Sequence, residues 1–577
     1  MPVRRSASSL LGRNLVPSVW DLVVFALVIG ALALIALAGR ETLAPLAVVA
    51  EPISLDPAEL PHYALRTTLR MLAAMSLAVI FTFAFGALAA KSRRAELVLI
   101  PLLDILQSVP VLGFLSFTVT GFMALFPGQV LGVELAAIFA IFTSQAWNMA
   151  YSFYHSTKTI PRDLRDLSDS LRLGAWRRFW TLEAPYAAPN LIWNAMISMS
   201  GAWFFVVASE AISVGQVTVA LPGVGSYVAA AILQHDLRAV GWAVLTMALV
   251  ILAYDQLLFR PLVAWAEKFR VDPPSPNEPA PRSWVLDFLQ RAELARRVWR
   301  PVGGFLGALA SVRLGRPVDM SPRMSRIWSS RSADFAWYGL LALVAAAAVW
   351  RTVDYVGGGV PLAEVGRAVL LGFFTLVRVV ALVGLASAVW VPIGVWIGLR
   401  PGWAATLQPA TQFLAAFPAN LLYPLVVAAV VRFDLVPDIW LSPLMILGAQ
   451  WYILFNVISG ARLFPTDLLE AAASMRLKGW TWWRKVALPG ILPSYVTGAV
   501  TAAGGAWNAA IVAEAANWGG VRLEAHGIGA YIAQATTDGD LRRVVLGAAV
   551  MAVYVVAFNR LVWDPLFTAA AKRIGTD

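Results

Sequence analysis

The chain has 577 residues, of which 59% are hydrophobic and 14% are charged, with 24 tryptophans and a mean hydropathy of +0.70. This composition excludes an ordinary soluble globular protein and is typical of a polytopic membrane protein. The net charge of +11 does not indicate nucleic-acid binding, because the basic residues cluster in short intervals between apolar segments, where they set membrane orientation. Zero cysteines exclude disulfides and thiolate metal sites, and the four histidines lack the paired spacing of a metal centre.

Twelve apolar segments are long enough to cross a bilayer. They lie near residues 21–39, 64–90, 97–125, 132–157, 189–215, 238–262, 335–350, 367–399, 405–432, 440–460, 492–516 and 541–566. None alternates like a β-strand, and backbone groups in lipid must be hydrogen-bonded within the segment, so we expect helices. The predicted fold class is therefore an all-α polytopic membrane protein with about 12 transmembrane helices.

Charge in the intervals between the spans predicts the orientation. Basic residues precede the first span and follow the second and fourth spans, which places all of them on one side: Arg4, Arg5, Arg13, Lys91, Arg93, Arg94, Arg162, Arg165, Arg172, Arg177 and Arg178. The opposite side carries the acidic interval 41–59. Because basic loops stay in the cytoplasm, both termini are expected there.

The two halves of the chain repeat each other. The stretch "DLSDSLRLGAW" at Asp166 matches "EAAASMRLKGW" at Glu470, an offset of 470 − 166 = 304. The same offset relates Trp176 to Trp480, Pro185 to Pro489, Pro189 to Pro493, Gly201 to Gly505, Glu210 to Glu514, Gly223 to Gly527, Tyr227 to Tyr531 and Pro261 to Pro565. Upstream, Arg70 with Arg378 and Pro110 with Pro418 share an offset of 308.

Six spans per repeat is an even number, so the halves enter the membrane in the same direction as parallel repeats. We predict a first half at residues 1–266 and a second half at residues 334–577. Residues 267–333 form a linker that begins "EKFRVDPPSPNEPAPRS", a proline-rich tether, and continues into an amphipathic helix from Trp284 that suits the membrane surface. Duplication alone could merely enlarge a bundle, but such repeats more often place a transport pathway between them.

Two polar loops between the fourth and fifth spans stand out, at about residues 158–188 (loop 1) and 462–491 (loop 2). In loop 2, Thr466 can cap a helix whose first turns carry Asp467 and Glu470, where negative charge suits the helix dipole. A second short helix follows Gly479, and Pro489 ends it. Each loop could simply lie on the membrane, but one loop per half would also suit a two-fold symmetric cytosolic partner.

The pattern Glu470-Ala471-Ala472 with Trp480, Arg484 and Leu488-Pro489 resembles the cytoplasmic loop of permeases in ATP-binding-cassette (ABC) importers. The downstream "GAW" at Gly505 and "GIGAYI" at Gly527 are similar to the nitrate, sulfonate, taurine and bicarbonate branch. The resemblance implies a fused, tandem permease with a type I ABC importer-like fold in the bacterial cytoplasmic membrane, and transport of a small anion or organic acid.

The resemblance also implies partners and cofactors. Two cytoplasmic ABC ATPase subunits would dock on the loops, and a periplasmic or lipid-anchored solute-binding protein would deliver the substrate. The chain contains no G-x-x-x-x-G-K-[ST] phosphate loop, so ATP and Mg would be used by the partner ATPase, with no cofactor bound by this chain and no enzymatic activity of its own. Membrane lipid is the remaining expected partner.

The docking residues implied by the resemblance are Asp166, Arg172, Gly174, Trp176, Glu470, Ala471, Ala472, Arg476, Gly479 and Trp480. Two departures from the family pattern affect the loops. Asp166 replaces the usual glutamate, and the glycine usually found six residues further on is Arg172 in loop 1 and Arg476 in loop 2. We therefore expect the local turns at Gly174 and Gly479 instead.

Candidate pathway residues are Trp203, Glu210, Trp507, Asn508 and Glu514, and Gln145, Trp147 and Asn148 are further polar or aromatic residues of the fourth span. An ionisable residue within a span is a functional hypothesis by default, and the family resemblance supports a role for Glu210 and Glu514 near an outer gate. Each carboxylate could instead be a buried group bonded to local backbone, and each tryptophan could serve only in packing.

Two other classes of function remain open from the residues alone. A proton-coupled secondary transporter would also show repeats, and Glu210, Glu514 and Asp255 could form its relay. It would not need the paired polar loops. A membrane-embedded enzyme is disfavoured, because the sequence offers no Ser/His/Asp set and no metal-ligand spacing.

Overall fold

The computed structural model describes residues 19–42, 45, 52–108, 111, 115–214, 217–270, 283–292, 300–301, 304–305, 307–308, 310–312, 331–462, 464, 466–518, 521–563 and 565–566. The proline-rich part of the predicted linker and both chain ends fall outside these residues.

Helices dominate the first repeat. They are α1 (Val19–Thr42), α2 (Leu60–Lys91), α3 (Arg93–Ser108), α4 (Leu115–Leu125), α5 (Val130–Lys158), α6 (Arg162–Ser170), α7 (Ala175–Arg178), α8 (Ala184–Glu210), α9 (Val224–Leu233), α10 (Leu237–Tyr254) and α11 (Arg260–Ala266). A hairpin of β1 (Ala211–Val214) and β2 (Val217–Ala220) follows α8. The linker contributes α12 (Trp284–Arg291), and Ser283 Oγ accepts a hydrogen bond from the Leu286 amide at its start.

The second repeat follows a similar order, but three helices take the place of α5. Its helices are α13 (Arg331–Gly357), α14 (Leu362–Gly398), α15 (Pro401–Ala416), α16 (Tyr423–Arg432), α17 (Pro437–Trp440), α18 (Ser442–Leu447), α19 (Gln450–Arg462), α20 (Thr466–Ser474), α21 (Gly479–Trp482), α22 (Leu488–Ala513), α23 (Ile528–Asp538) and α24 (Leu541–Phe558). The matching hairpin is β3 (Ala515–Trp518) with β4 (Val521–Glu524).

Short stretches of other helix types complete the described chain. Three 3-10 turns lie at Pro57–Glu59, Glu267–Phe269 and Ala419–Leu422. Four π-helical turns lie at Phe179–Glu183, Asp255–Phe259, Trp483–Ala487 and Asn559–Trp563.

Within the described residues, eight helices are long and apolar enough to cross a membrane, or up to ten if two bent pairs each count as one span. The all-α, two-repeat membrane fold predicted from the sequence is therefore confirmed. The bent pairs fall on the predicted spans 405–432 and 440–460, and the predicted span 97–125 contains α3 and α4, with residues 109–110 and 112–114 outside the described part of the chain. The predicted span 21–39 lies within α1.

The predicted fifth spans differ at their ends. The prediction extends them to residues 215 and 516, but α8 stops at Glu210 and α22 at Ala513, and a β-hairpin follows each. The segment "AISV" after Glu210 is short and rich in β-branched residues, which favour strands. Hydrophobicity alone did not separate this strand from the helix before it.

The described chain divides into two compact units. One comprises residues 1–42, 152–193 and 253–328, and the other comprises residues 43–151, 194–252 and 329–577. The core of the larger unit is built mainly from the second repeat and includes buried alanines and valines of α4 and α5. Glycines allow close helix packing there, because a β-carbon at Gly498 would lie only 2.8 Å from the Tyr452 carbonyl oxygen.

Candidate functional site

The first helix of each polar loop ends in the same kind of turn. In loop 2, the Arg476 amide donates to Ala473 O at 2.9 Å and the Leu477 amide donates to Ala472 O at 3.0 Å. This pair of bonds is the Schellman motif, in which the residue before the last is left-handed and is usually glycine. Arg476 occupies that position with φ 49°, and Arg172 occupies it in loop 1 with φ 47°. Each loop therefore holds an arginine in a conformation that costs roughly 1–2 kcal/mol.

The expected turn positions are corrected by this geometry. Gly174 has φ −62° and begins α7 with ordinary backbone, so the prediction of a turn at Gly174 is wrong. Gly479 is left-handed with φ 56°, in addition to Arg476. The backbone hydrogen bonds that end the helix require a left-handed residue at this position. Both arginines therefore adopt that conformation, whatever their side chain.

The turns present exposed apolar side chains. Met475, directly before the left-handed arginine, is 72% exposed, and Leu171 at the matching position is 63% exposed. Trp480 is 74% exposed, whereas Trp176 is half-buried and stacks edge-on against Trp180. The sequence prediction did not include Leu171 and Met475 among the docking residues, although their offset of 475 − 171 = 304 was available.

The remaining predicted docking residues also lie on the loops. Asp166, Glu470 and Ala471 are exposed, and Ala472 is buried beneath the turn. Loop 1 differs in its own ion pair, because Arg178 Nη1 lies 2.9 Å from Asp169 Oδ1. The two loops thus share the left-handed turn and carry different surface charge.

At the opposite end of α8, Glu210 belongs to a buried ion network. Its Oε1 accepts hydrogen bonds from Arg70 Nη1 at 2.7 Å and from Thr67 Oγ1 at 2.6 Å, and its Oε2 accepts one from the Gly225 amide at 2.7 Å. Arg70 also donates to both carboxylate oxygens of Glu134, at 2.6 and 2.8 Å. Arg66 joins Glu134 from the adjacent turn of α2, at 2.6 Å. Two arginines and two glutamates therefore neutralise each other out of contact with solvent.

The second half repeats the network around Glu514. Its Oε1 accepts from Arg378 Nη1 at 3.0 Å and from Thr375 Oγ1 at 2.8 Å, and its Oε2 accepts from the Gly529 amide at 2.8 Å. Arg378 Nη2 donates to Asp438 Oδ1 at 2.6 Å. Asp438 matches Glu134 at 438 − 134 = 304, a pair that sequence reasoning missed although the register marks it.

The two networks are not equivalent. The position of Arg66 is occupied by Phe374, at the upstream offset of 374 − 66 = 308. The position of Pro222 is occupied by His526, whose amide donates to Asp438 Oδ1 at 2.7 Å and whose Nδ1 lies 2.9 Å from Asp438 Oδ2. The His526 side chain is 76% exposed, so the second network reaches solvent where the first is closed.

Repeated glycines make room for these carboxylates. A β-carbon at Gly223 would overlap the Glu210 carboxylate, and one at Gly527 would overlap that of Glu514. The repeated glycines at 223 and 527 are thus explained by the carboxylates they face.

The halves also meet within the larger unit. Asn508 Oδ1 accepts a hydrogen bond from the Val111 amide at 2.9 Å, and Asn420 Nδ2 donates to Phe204 O at 3.1 Å. Phe204 and Asn508 are matching positions, since 508 − 204 = 304. A residue of the third span of each half is therefore hydrogen-bonded to a residue of the fifth span of the other half.

The other predicted pathway residues are buried in the protein or hydrogen-bonded within it. Trp203 and Trp507 are each 2% exposed. Gln145 Nε2 donates to Met71 Sδ at 3.0 Å, and Asn148 Nδ2 donates to Ser198 Oγ at 2.8 Å. Asp255, which the proton-relay hypothesis would use, pairs with Arg260 at 3.0 Å in the smaller unit.

Repeated membrane halves, each with a polar loop at one end of its fifth span and an ion network at the other, define a duplicated membrane permease. The chain belongs to the family described as the binding-protein-dependent transport system inner membrane component, which matches residues 82–259 and 390–574, one copy in each half. A fused, tandem permease is thereby confirmed.

Several curated proteins are similar to parts of the chain. The bicarbonate transport system permease protein CmpB of Synechococcus elongatus is 29% identical over 188 residues, 33% of this chain and 64% of that protein. A protein of Methanocaldococcus jannaschii assigned as an ABC transporter permease is 34% identical over 137 residues, 24% of this chain and 50% of that protein. The nitrate import permease protein NrtB of Synechocystis is 25% identical over 141 residues, 24% of this chain and 48% of that protein. The chain spans about half to two thirds of the length of these relatives.

Proposed function

We propose that the chain supplies both permease halves of an ABC importer, forming the translocation pathway and coupling it to ATP hydrolysis by separate ATPase subunits. The observation that carries the proposal is the pair of loops that share a left-handed arginine preceded by an exposed apolar side chain. A loop that only lies on the membrane gives no reason to conserve this strained geometry in both halves.

Two ATPase subunits would dock on these loops, one on each. Asp166, Arg172, Gly174, Trp176, Glu470, Ala471, Ala472, Arg476, Gly479 and Trp480 form the proposed docking surface, together with Leu171 and Met475. The exposed apolar side chains supply the buried centre of such a contact, and the charges around them supply its polar rim. ATP and Mg would be bound by the ATPases, which would close on nucleotide and move the halves as rigid bodies.

The relatives support a substrate class, and the charge of the loops supports a topology. A small anion or organic acid is the proposed substrate class, because similar permeases serve bicarbonate and nitrate systems. A periplasmic or lipid-anchored solute-binding protein would deliver it to a chain in the bacterial cytoplasmic membrane, with both termini in the cytoplasm. The domain division into residues 1–266, 267–333 and 334–577 is part of this proposal.

The ion networks join separate elements within each half. Glu210 and Glu514 each accept hydrogen bonds from an arginine, a threonine and a backbone amide, so each carboxylate is held in place by three partners. We propose that they hold the fifth span of each half to its second and fourth spans near the outer gate. Trp203, Trp507 and Asn508 would shape the pathway between the halves.

The test is native mass spectrometry of the full chain co-expressed with its candidate ATPase. The wild-type chain should carry two ATPases, and the double substitution Asp166→Lys with Glu470→Lys should remove both. The matched control is Glu59→Lys with Asp538→Lys, which makes the same change of charge at exposed positions away from the loops. A wild-type chain that never binds ATPase would contradict the proposal, as would equal loss in the control.

A further inference from the structure

The four π-helical turns form two matching pairs. Phe179–Glu183 corresponds to Trp483–Ala487, since 483 − 179 = 304, and Asp255–Phe259 corresponds to Asn559–Trp563, since 559 − 255 = 304. A π-helical turn contains one residue more than the α-helical turn it replaces, and it is rare and frequently lies at a functional site. Preservation of all four positions across both repeats indicates that the surplus residues are retained for a purpose.

A proline accompanies each of these π-helical turns, which we call wide turns. Pro185, Pro261, Pro489 and Pro565 each lie two residues after the end of the turn. Immediately before three of these prolines, an amide bonds five residues back: Ala184 to Phe179 O, Arg260 to Asp255 O and Leu488 to Trp483 O. Proline has no N–H, and its ring clashes with the carbonyl four residues earlier, so widening the preceding turn relieves that clash.

Proline alone does not produce the wide turn. Pro101, Pro189, Pro392 and Pro493 lie inside described helices that keep α-helical geometry around them. Pro189 and Pro493 are especially informative, because each follows a wide-turn proline by four residues in the same helix. Within the described residues, the surplus residue is thus confined to the points where the loops meet the fifth spans and to the ends of the last spans.

The wide turn in loop 2 has one buried side and one exposed side. Val486 and Ala487 are buried in the core, whereas Arg484 and Lys485 are exposed. The turn joins the short helix α21, which carries the exposed Trp480, to the long helix α22. Helices bend most readily at prolines and at π-helical turns, and both coincide here.

We propose that the wide turns at 179–183 and 483–487 are hinges on which the loops turn relative to the fifth spans, with Pro185 and Pro489 as their positioning residues. The role of this hinge in transport rests on the proposed function, whereas its existence does not. The loop can follow a docked partner while the buried side of the turn keeps α22 seated in the core.

The hinge is testable on the full chain alone, in lipid nanodiscs. The natural chain has no cysteine, so Ser474→Cys on loop 2 and Thr501→Cys on α22 can be spin-labelled and their distance distribution measured. Pro489→Ala restores an amide that can bond four residues back, which should convert the segment to a continuous α-helix. The loop should then rotate by about 100° about the helix axis, shifting the mean distance and narrowing the distribution.

Pro493→Ala is the matched control and should leave the mean and width of the distribution unchanged. An unshifted distribution in Pro489→Ala, or an equal shift in Pro493→Ala, would overturn the proposal. If Pro489→Ala does not fold, deletion of the exposed Lys485 removes the surplus residue by another route. It should narrow the distribution without rotating the loop, and a wild-type width would overturn the proposal.

The role in coupling is measured with the ATPase and substrate present. Pro489→Ala should retain ATPase binding and lose substrate-stimulated hydrolysis, whereas Pro493→Ala should keep both. Full stimulation in Pro489→Ala would overturn the coupling role. If the wild-type chain binds no ATPase, the proposed function fails, and the distance measurement still decides whether the hinge exists.

Discussion

Arg70 Nη1 lies 2.7 Å from Glu210 Oε1, and both side chains are at most 3% exposed. The corresponding pair, Arg378 and Glu514, is 3.0 Å apart, with Arg378 14% exposed. The chain thus contains two copies of this ion pair, one buried and one closer to solvent. Because the penalty for leaving a charge unpaired grows with its burial, the two copies should respond differently to the same substitution.

Glu210→Ala should destabilise the chain by about 3–5 kcal/mol, because it leaves Arg70 with excess buried positive charge. Glu514→Ala should cost less, since solvent can reach the network that contains Arg378. Thermal unfolding of the full chain in detergent, followed by loss of the monodisperse species, compares the two variants. Equal losses of stability would show that the difference in burial has no energetic effect.

Arg476→Gly should stabilise the chain by about 1 kcal/mol, because glycine adopts a positive φ without the steric cost that arginine bears. Arg476→Ala removes the guanidinium and keeps that cost, so it separates the two effects. Stability is read by thermal unfolding, and ATPase binding by native mass spectrometry. We expect both variants to bind ATPase more weakly, and undiminished binding would exclude the guanidinium from the docking contact.

Gly223→Ala and Gly527→Ala should each disrupt an ion network, because the new β-carbon would overlap the carboxylate of Glu210 or Glu514. Gly241→Ala is the control, since no atom lies within 4 Å of its added β-carbon. The yield of folded protein from membranes and its unfolding temperature provide the measurement. If alanine is tolerated at both glycines, the carboxylates of Glu210 and Glu514 can adopt other positions.

Asn508→Ala should weaken the contact between the halves, because it leaves the Val111 amide without its acceptor at a cost of roughly 1–3 kcal/mol. Thr501→Ala, on an exposed face of the same helix, should have little effect. Substrate uptake into vesicles and thermal unfolding together test the contact. A variant that matches the control in both measurements would place Asn508 outside any role between the halves.

The sequence predicted the repeat, the membrane class and the position of the loops, because constant spacing and long apolar segments are properties of the chain itself. It did not predict that Glu134 and Asp438 complete the networks, since a single acidic residue at the start of a span indicates no partner. The turn at Arg172 was missed for a different reason. Residue preference favours glycine there, but hydrogen bonds at the end of α6 decide the conformation.

The breaks in the third spans and the wide helical turns were also beyond sequence reasoning. Prolines near 110 and 418 are compatible with both a kinked and a divided span. Pro489 and Pro493 look alike in the sequence, and only one follows a π-helical turn. A proline permits a π-helical turn, whereas the packing of the surrounding helices determines whether the extra residue is kept.

Joining the two repeats in one polypeptide fixes their ratio at one to one and makes every assembled pair heteromeric. A substitution such as Phe374 in place of the arginine at 66 therefore changes one side of the assembly and leaves the other intact. In a permease built from two identical copies, the same substitution would appear twice and lose both arginines at once. Fusion thus frees each half to change independently of the other.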